Sequence, residues 1–183
     1  RECGVQRVVH TSTSEIYGTA QYVPIDEAHP VNPQSPYAAS KASADFLALS
    51  YHRSFGLPVT VVRPFNTFGP RQSARAIIPT IIGQILAGKR TLSLGSLAPT
   101  RDLTFVDDTV EGFLAAAASP RTVGEVVNLG TGTEISIGDL VEKIACLMNC
   151  SIAIREDAQR VRPAASEVER LLSNPSKMKN FTE

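Results

Sequence analysis

The sequence predicts an α/β fold built on a parallel sheet, and two observations support this. Short β-branched runs alternate along the chain with stretches that carry helix caps, which is the order of elements in parallel α/β proteins. One such run, Val59-Thr60-Val61-Val62, has the continuous apolar character of a strand that is buried on both faces. With 183 residues, of which 43% are hydrophobic, the chain is long enough to bury a sizeable core.

The first third of the chain begins with a strand and contains one well-bounded helix. The expected elements before that helix are a strand at Val8-Val9-His10, a turn at 12–18 and a polar, proline-rich loop at 21–34. Ser35 can accept a hydrogen bond from a free N–H of the first helical turn, and Pro36 suits the first helical position. We therefore expect a helix that begins after Ser35 and ends at Gly56.

Caps and apolar runs predict the later elements. These are a turn-rich segment at 63–75, a helix at 77–86 closed by Gly88, a strand at 92–94, a helix capped by Asp107 or Asp108 that runs to Ala118, and strands at 126–129 and 152–154. Ser136 and Asp139 have the spacing of a capping box for a helix that reaches about Asn149. The tail from Glu156 is polar, and its composition predicts a mobile linker.

Charge and cysteine content exclude several classes of protein. Eighteen basic and eighteen acidic residues cancel, so nothing indicates binding to nucleic acid or to an anionic membrane. No apolar run reaches the ~18 residues that a membrane span needs. Cys146 and Cys150 have no further ligand near enough in sequence for a zinc site, so we expect reduced thiols and no metal. The first residues lack the apolar stretch of a signal peptide, and we expect a cytoplasmic protein.

A glycine-rich phosphate-binding turn is missing from the pattern. Proteins that bind a dinucleotide on an α/β sheet usually carry such a turn between a strand and a helix. Gly130-Thr131-Gly132 follows a strand, but no third glycine comes after it. We therefore expect the pyrophosphate-binding crossover to lie outside this chain.

Tyr37 and Lys41 are four residues apart on the well-capped helix, so they share one helix face. A phenol has a pKa of about 10, and a neighbouring ammonium group lowers it by favouring the phenolate. Such a pair can remove a proton from a sugar hydroxyl. A Tyr–Lys pair at this spacing is common on helices. It indicates a catalytic pair only together with the segment that precedes it.

That segment, Thr11-Ser12-Thr13-Ser14-Glu15-Ile16-Tyr17-Gly18, directly follows a strand. Open α/β sheets bind their ligands at this end of their strands. The segment is dense in small hydroxyl groups and includes one carboxylate, Glu15. The alternative is a Ser/Thr-rich turn whose side chains satisfy its own backbone.

Together with Arg63-Pro64-Phe65-Asn66-Thr67-Phe68-Gly69-Pro70-Arg71, these motifs resemble the extended short-chain dehydrogenase/reductases that act on nucleotide sugars. The resemblance covers essentially the whole chain, as far as the tail Arg162-Pro163-Ala164-Ala165-Ser166-Glu167. It implies the C-terminal part of a Rossmann-type parallel sheet, with the catalytic helix, in residues 1–70. Residues 71–183 would mainly form a small α/β lobe that binds the nucleotide sugar, with one strand and helix returning to the sheet. The N-terminal glycine-rich half would be absent.

The resemblance also implies a role for each matching residue. The catalytic residues would be Thr13, Ser14, Glu15, Tyr37 and Lys41, and NAD would be held by Thr11, Tyr37, Lys41, Pro64 and Thr67. The substrate would contact Thr13, Asn66, Ile78, Pro79, Leu94, Arg101, Asn128 and Arg162. A guanidinium such as that of Arg101 suits bidentate binding of a diphosphate. For Arg71 and Arg75, an ordinary surface position is as well supported as a role in the site.

Ser14 and Glu15 indicate which reaction the family pattern implies. Epimerases of the family usually carry small or uncharged residues there, whereas dehydratases carry an acid–base pair. The resemblance is therefore to 4,6-dehydratases of the GDP-mannose or UDP-N-acetylglucosamine type, the latter used in bacterial surface-sugar synthesis. Glucose-type dehydratases have Asp in place of Ser14, so the group that protonates the leaving water is open. A 4-epimerase and a truncated, non-catalytic chain that only binds sugar nucleotides remain alternatives.

The family pattern further implies a homodimer with a four-helix interface. The helices at 37–55 and 77–86 match the interface helices, and Leu49 and Ile85 are apolar residues that could serve it. The alternative is that both helices are simply buried in their own domain.

Overall fold

The computed structural model describes residues 3–157 and 168–182. The elements are β1 (Val8–Thr11), a 3₁₀ turn (Ser14–Tyr17), α1 (Pro36–Phe55), β2 (Val59–Pro64), β3 (Asn66–Phe68), α2 (Ile77–Leu86), β4 (Thr91–Leu94), β5 (Thr100–Arg101), β6 (Leu103–Phe105), α3 (Val106–Ala118), a second 3₁₀ turn (Pro120–Thr122), β7 (Val126–Leu129), β8 (Ile135–Ser136), α4 (Ile137–Leu147), β9 (Ala153–Glu156), β10 (Arg170–Leu171) and α5 (Ser176–Thr182). They alternate as the sequence predicted.

The main sheet is parallel and has the order β1-β2-β7. Val59 and Val61 of β2 pack against Leu49 of α1, while Val62 packs against Ala116 of α3. Because neighbouring side chains of a strand point to opposite faces, helices cover both faces of this sheet. The prediction of a buried parallel strand is confirmed.

A second apolar cluster lies around the parallel pair β4–β9 and helices α2 and α4. Its buried members are Ile81, Ile85, Leu92, Leu94, Ile137, Leu140, Val141 and Ile144. β3 pairs with β6 in parallel, and β5 lies between β10 and an antiparallel partner, β8. These short pairs connect the main sheet to the second cluster, and they form the walls of a cleft.

Three predicted helix caps are confirmed. The Ser35 hydroxyl accepts a hydrogen bond from the Ala38 N–H at 3.1 Å, and Gly56 ends α1 in the left-handed region with φ 68°. The Ser136 hydroxyl accepts the Asp139 N–H at 3.0 Å and donates to the Asp139 carboxylate at 2.6 Å. α4 nevertheless ends at Leu147, earlier than the expected Asn149.

Other boundaries differ from the predictions. α3 begins at Val106 without a side-chain cap, because β6 runs directly into it, so the predicted cap at Asp107 or Asp108 is wrong. Both aspartates lie in the first turn, where a negative charge interacts favourably with the helix dipole. The turn-rich segment after β2 contains an unpredicted strand, β3.

Residues 168–182 contain a strand and a helix, although the composition of the tail from Glu156 predicted a linker. β10 pairs with β5, and α5 contributes Met178 to the core around Val62 and Val127. Both elements are held by distant parts of the chain, which a local composition cannot reveal. The expected tail residue Arg162 lies outside the described residues.

The two residues proposed for a dimer interface are buried within the chain itself. Leu49 packs on β2, and Ile85 lies in the second cluster, so that expectation is wrong for both. Each belongs to the core-facing stripe of its helix, and α2 packs against β4 and α4. The exposed apolar side chains of α1, apart from Tyr37, are Phe46, Leu47, Tyr51 and Phe55.

Among the described helices, none combines the length and the hydropathy that a membrane crossing requires.

Candidate functional site

The turn after β1 presents the first candidate residues. Thr13 is extended, and its hydroxyl accepts the Glu15 N–H at 3.3 Å, which starts the 3₁₀ turn. Gly18 closes the turn with φ 65°, and a Cβ atom there would lie 2.2 Å from the Asn32 carbonyl oxygen. Ser14 is buried, whereas Glu15 is only half-buried. Glu15 is therefore the ionisable group that this turn leaves partly open to solvent.

The start of α1 lies beside this turn. The Lys41 Nζ atom donates a hydrogen bond to the Thr11 carbonyl oxygen at 3.0 Å, which holds the helix face against the end of β1. Tyr37 lies one turn earlier on the same helix and is 52% exposed. The predicted pair and the predicted hydroxyl turn are thus at the same edge of the sheet, the carboxyl end of its strands.

A buried polar network lies beneath the turn. The Tyr17 hydroxyl donates to Asn128 Oδ1 at 2.7 Å and accepts from Arg63 at 2.9 Å. The Arg63 Nε–H donates to Asp45 Oδ2 at 3.0 Å, and His10 Nε2 lies 3.1 Å from Asp45 Oδ1. Burial raises the pKa of Tyr17, and the Arg63 charge partly opposes this. The network ties the turn to α1, β2 and β7, and no local pattern in the sequence indicates it.

Asn128 belongs to that network rather than to an open surface. It is fully buried, and its Nδ2 group donates to the Ile25 carbonyl oxygen at 3.0 Å. Its backbone N–H donates to Glu27 at 2.7 Å. Both ends of the side-chain amide are therefore engaged within the core, and the predicted nucleotide contact at Asn128 has no support in this arrangement.

A cleft of about 500 Å³ lies between β3, α2, β4 and β5. Five of the residues that the resemblance assigned to cofactor or substrate line it, namely Asn66, Thr67, Ile78, Leu94 and Arg101. Side chains that the resemblance did not single out, among them Gln72, Thr80 and Ser96, complete the wall. The cleft therefore unites four of the eight expected substrate residues, together with Thr67 of the expected cofactor site, in one place.

The charge of the cleft favours an anion. Among the described residues, its lining includes the guanidinium groups of Arg75 and Arg101 and no carboxylate. Arg101 Nη1 also donates to the Thr100 carbonyl oxygen at 2.8 Å. Guanidinium groups are well suited to phosphate oxygens, so a diphosphate fits this lining. Arg71 and Arg75 are both exposed, but only Arg75 lines the cleft.

Asp102, beside Arg101, is fully buried and fixes this end of the cleft. Its carboxylate accepts the N–H groups of Thr131 at 2.9 Å, Gly132 at 3.0 Å and Ser173 at 3.2 Å. A Cβ atom on Gly130 would lie 2.3 Å from the Ser173 hydroxyl oxygen. In this turn, the N–H groups of Thr131 and Gly132 thus donate to Asp102, and Gly130 allows the backbone to pack closely against Ser173.

Some predicted residues lie elsewhere. Pro64 ends β2, where it pairs with Leu129, and Pro79 lies in the first turn of α2; neither lines the cleft. Among the described residues, no group of three His, Cys, Asp or Glu side chains could hold a metal ion.

Comparison with known proteins places the chain in a family. A family model for GDP-mannose 4,6 dehydratase matches residues 1–182. The dTDP-glucose 4,6-dehydratase of Streptomyces antibioticus is 42% identical over 137 residues, which are 75% of this chain and 41% of the relative. The UDP-glucose 4-epimerase of Mycolicibacterium smegmatis is 38% identical over 149 residues, 79% of this chain and 47% of the relative. The chain thus spans less than half the length of these relatives.

Solved structures of the same kind superpose closely. The dTDP-glucose 4,6-dehydratase of Streptomyces venezuelae, solved with NAD bound, has a TM-score of 0.89 and 32% identity over 99% of this chain and 55% of its own. The UDP-glucuronic acid 4-epimerase of Bacillus cereus, solved with UDP-glucuronic acid and NAD, has a TM-score of 0.87 and 28% identity over 97% of this chain and 55% of its own. With its β1 turn, its Tyr–Lys helix and its cationic cleft, the chain belongs to the nucleotide-sugar 4,6-dehydratase and epimerase family of short-chain dehydrogenase/reductases.

Proposed function

We propose that the protein containing this chain is an NAD-dependent nucleotide-sugar 4,6-dehydratase, which removes water to give a 4-keto-6-deoxy sugar nucleotide. The proposal rests on the burial and position of Glu15. It is a half-buried carboxylate two residues after Thr13, in the turn that adjoins the Tyr37–Lys41 helix. An epimerase that only oxidises and re-reduces carbon 4 has no use for a base at this position.

The residues present fit the nicotinamide end of NAD. Tyr37 and Lys41 share a helix face at the carboxyl end of β1, and the buried Ser12 hydroxyl beside them has no hydrogen-bond partner. Thr67 lines the cleft, and Pro64 ends the neighbouring strand. When bound, NAD would supply hydride transfer between carbon 4 and carbon 6 of the sugar. The chains of the relatives are about twice as long as this one. We therefore expect residues outside this chain to hold the rest of the dinucleotide.

The chain's own residues then divide the proton transfers. Thr13 hydrogen-bonds the oxygen on carbon 4, and Tyr37, beside the Lys41 ammonium, removes the hydroxyl proton. The ketone that forms acidifies the proton on carbon 5, which Glu15 removes as the hydroxyl on carbon 6 leaves as water. When hydride is returned to carbon 6, carbon 5 takes up a proton from solvent, to which Tyr37 releases the proton that it removed. Because Ser14 is buried and a serine hydroxyl is a poor acid, we assign the protonation of that leaving water to Glu15 as well.

The cleft supplies the binding of the nucleotide diphosphate. Arg75 and Arg101 would neutralise the diphosphate, while the apolar walls at Ile78 and Leu94 would pack against the nucleoside. The relatives include dTDP-glucose 4,6-dehydratases, so dTDP-glucose joins UDP-N-acetylglucosamine and GDP-mannose as a candidate substrate. Action in the cytoplasm and a role in surface-polysaccharide synthesis remain predictions.

Two alternatives differ in what they predict. A 4-epimerase is favoured by the 38% identity to the UDP-glucose 4-epimerase, and it predicts that Glu15 is dispensable. A chain of this length acting alone would bind sugar nucleotides through its cleft without turnover.

We also propose a homodimer that pairs the exposed apolar side chains of α1 across a four-helix interface, because this face remains uncovered by the described residues.

Glu15→Gln in the complete protein tests the proposal. Glutamine keeps the size and can still hydrogen-bond, so carbon 4 should still be oxidised and the absorbance of reduced nicotinamide should rise. Without the base, formation of the 4-keto-6-deoxy product should fall by about 10²–10⁴-fold. Glu111→Gln, an exposed carboxylate on α3, is the matched control and should leave turnover unchanged. Near-normal product formation by Glu15→Gln would contradict the role of Glu15.

A further inference from the structure

The orientation of the Gln72 side chain is fixed by one hydrogen bond. Its Nε2 group donates to the Thr67 carbonyl oxygen at 2.9 Å. Only the NH₂ end of an amide can donate to a carbonyl, so the reverse orientation would place two oxygens against each other. Gln72 Oε1 therefore points away from Thr67. It is buried and has no hydrogen-bond partner, although Gln72 lines the cleft.

A second unpartnered acceptor lies in the same wall. Asn66 Oδ1 is also buried without a partner, and Asn66 lines the cleft beside Thr67. Buried polar atoms are nearly always hydrogen-bonded, because an unmade bond costs the full desolvation of the atom. Two such acceptors in one cleft indicate a ligand that brings hydrogen-bond donors to them.

Those donors cannot come from the diphosphate. Ionised phosphate oxygens only accept hydrogen bonds, and they are matched by Arg75 and Arg101. Hydroxyl and amide N–H groups can donate, and the sugar of a nucleotide sugar is rich in them. Asn66 begins β3 directly after β2, whose carboxyl end is level with Thr11. The Asn66–Gln72 wall is thus the end of the cleft nearest the β1 turn, where the sugar has to lie for reaction.

We propose that Gln72 is a specificity-determining residue whose Oε1 atom accepts a hydrogen bond from a hydroxyl or amide N–H group of the sugar. This rests on the proposed function, since it takes the ligand to be a nucleotide sugar. Thr67 acts as the positioning group, because its carbonyl oxygen turns the glutamine oxygen toward the ligand. A sugar with no donor at the contacted carbon leaves that oxygen buried and unpaired, and is disfavoured for that reason.

Calorimetry on the complete protein tests this. Every variant carries Tyr37→Phe so that the ligand is not converted, and the probes are dTDP, UDP and GDP with the corresponding sugar nucleotides, dTDP-glucose, UDP-N-acetylglucosamine and GDP-mannose. Gln72→Met keeps the length of the side chain and removes the acceptor. It should weaken the sugar nucleotide that binds best by about three- to tenfold, the value of one neutral hydrogen bond, and leave the bare nucleotide unchanged. Gln34→Met, which makes the same change outside the cleft, should alter neither affinity.

A second measurement changes the ligand as well as Gln72. Sugar nucleotides with fluorine in place of one sugar hydroxyl can accept but not donate, so one analogue should bind less tightly than its parent sugar, and this loss should vanish in Gln72→Met. Equal effects of Gln72→Met on bare nucleotide and sugar nucleotide, or analogues that all bind like the parent, would overturn the assignment of Gln72 alone. Failure of the protein to bind any of the three nucleotides would overturn the proposed function, and this assignment with it.

Discussion

Single side chains decide what the cleft can bind. Arg75 and Arg101 give it positive charge, while the carboxylate of the neighbouring Asp102 is fully buried and hydrogen-bonded within the chain. Five residues to which the resemblance gave cofactor or substrate roles line this cleft. It could not place Asn128, because a matching position in the sequence does not say whether an amide faces a ligand or the buried hydroxyl of Tyr17. Nor could it single out Gln72, whose only local sign is a polar side chain in a turn.

Arg101→Ala in the complete protein should weaken substrate binding much more than it slows the bound reaction. A charge-assisted hydrogen bond to a phosphate contributes about 1.5–3 kcal/mol, or roughly ten- to a hundredfold in affinity. The diphosphate is remote from the bonds that change, so its contact is similar in ground and transition states. Steady-state kinetics should show a raised KM with a nearly unchanged kcat. Arg71→Ala, outside the cleft lining, is the control; a collapsed kcat at constant KM for Arg101→Ala would assign Arg101 a different role.

The elements divide into those with local signals and those without. α1 was predictable from its Ser35 cap, Pro36 and Gly56, and β2 from its apolar run. The short strands β3 and β10 were not, since each has at most three residues and is held by a partner far away in sequence. Non-local pairing also explains why a polar tail forms β10 and α5. The main sheet and the turn at its edge could thus be predicted from the sequence, whereas the short strands β3 and β10 could not.

The ion pair that holds β10 predicts an acid-dependent stability. Hydrogen bonds from Arg170 lower the pKa of Glu134 below its usual 4.5. A lowered pKa in the folded state means that this contribution is present above the unfolded value and is lost as the pH falls through the folded one. Glu134→Gln should therefore lower the Tm near neutral pH, and the difference from the wild type should shrink below about pH 4.5. Glu142→Gln, an exposed carboxylate on α4, should show no such convergence. A constant difference at all pH values would contradict the ion-pair explanation.

On the scale of the whole molecule, α1 presents two different faces. Its buried stripe, which includes Ala38, Ala42 and Leu49, packs against the sheet and the β1 turn, and Tyr37 and Lys41 lie at its start. The opposite face carries the apolar side chains of Leu47, Tyr51 and Phe55, spaced four residues apart. An apolar face of this kind on a surface helix is typical of an interface between subunits.

Leu47→Asp in the complete protein should convert a dimer into a monomer, because it places a charge inside the proposed interface. Light scattering over a wide concentration range should show the halved mass. The control is Leu147→Asp, the same change at an exposed leucine of α4, which should leave the mass unchanged. A wild-type protein that is monomeric at every concentration would rule out the dimer.

The central claim is that the β1 turn, the Tyr37–Lys41 helix and the cleft together perform a 4,6-dehydration. It is tested most directly by following one hydrogen atom. The complete protein is incubated with NAD and a nucleotide sugar that carries deuterium on carbon 4, and the product is examined by NMR. Our account predicts a 4-keto-6-deoxy product with the deuterium on carbon 6, and no such product from Glu15→Gln. A product that is the carbon 4 epimer, with the deuterium still on carbon 4, would contradict it.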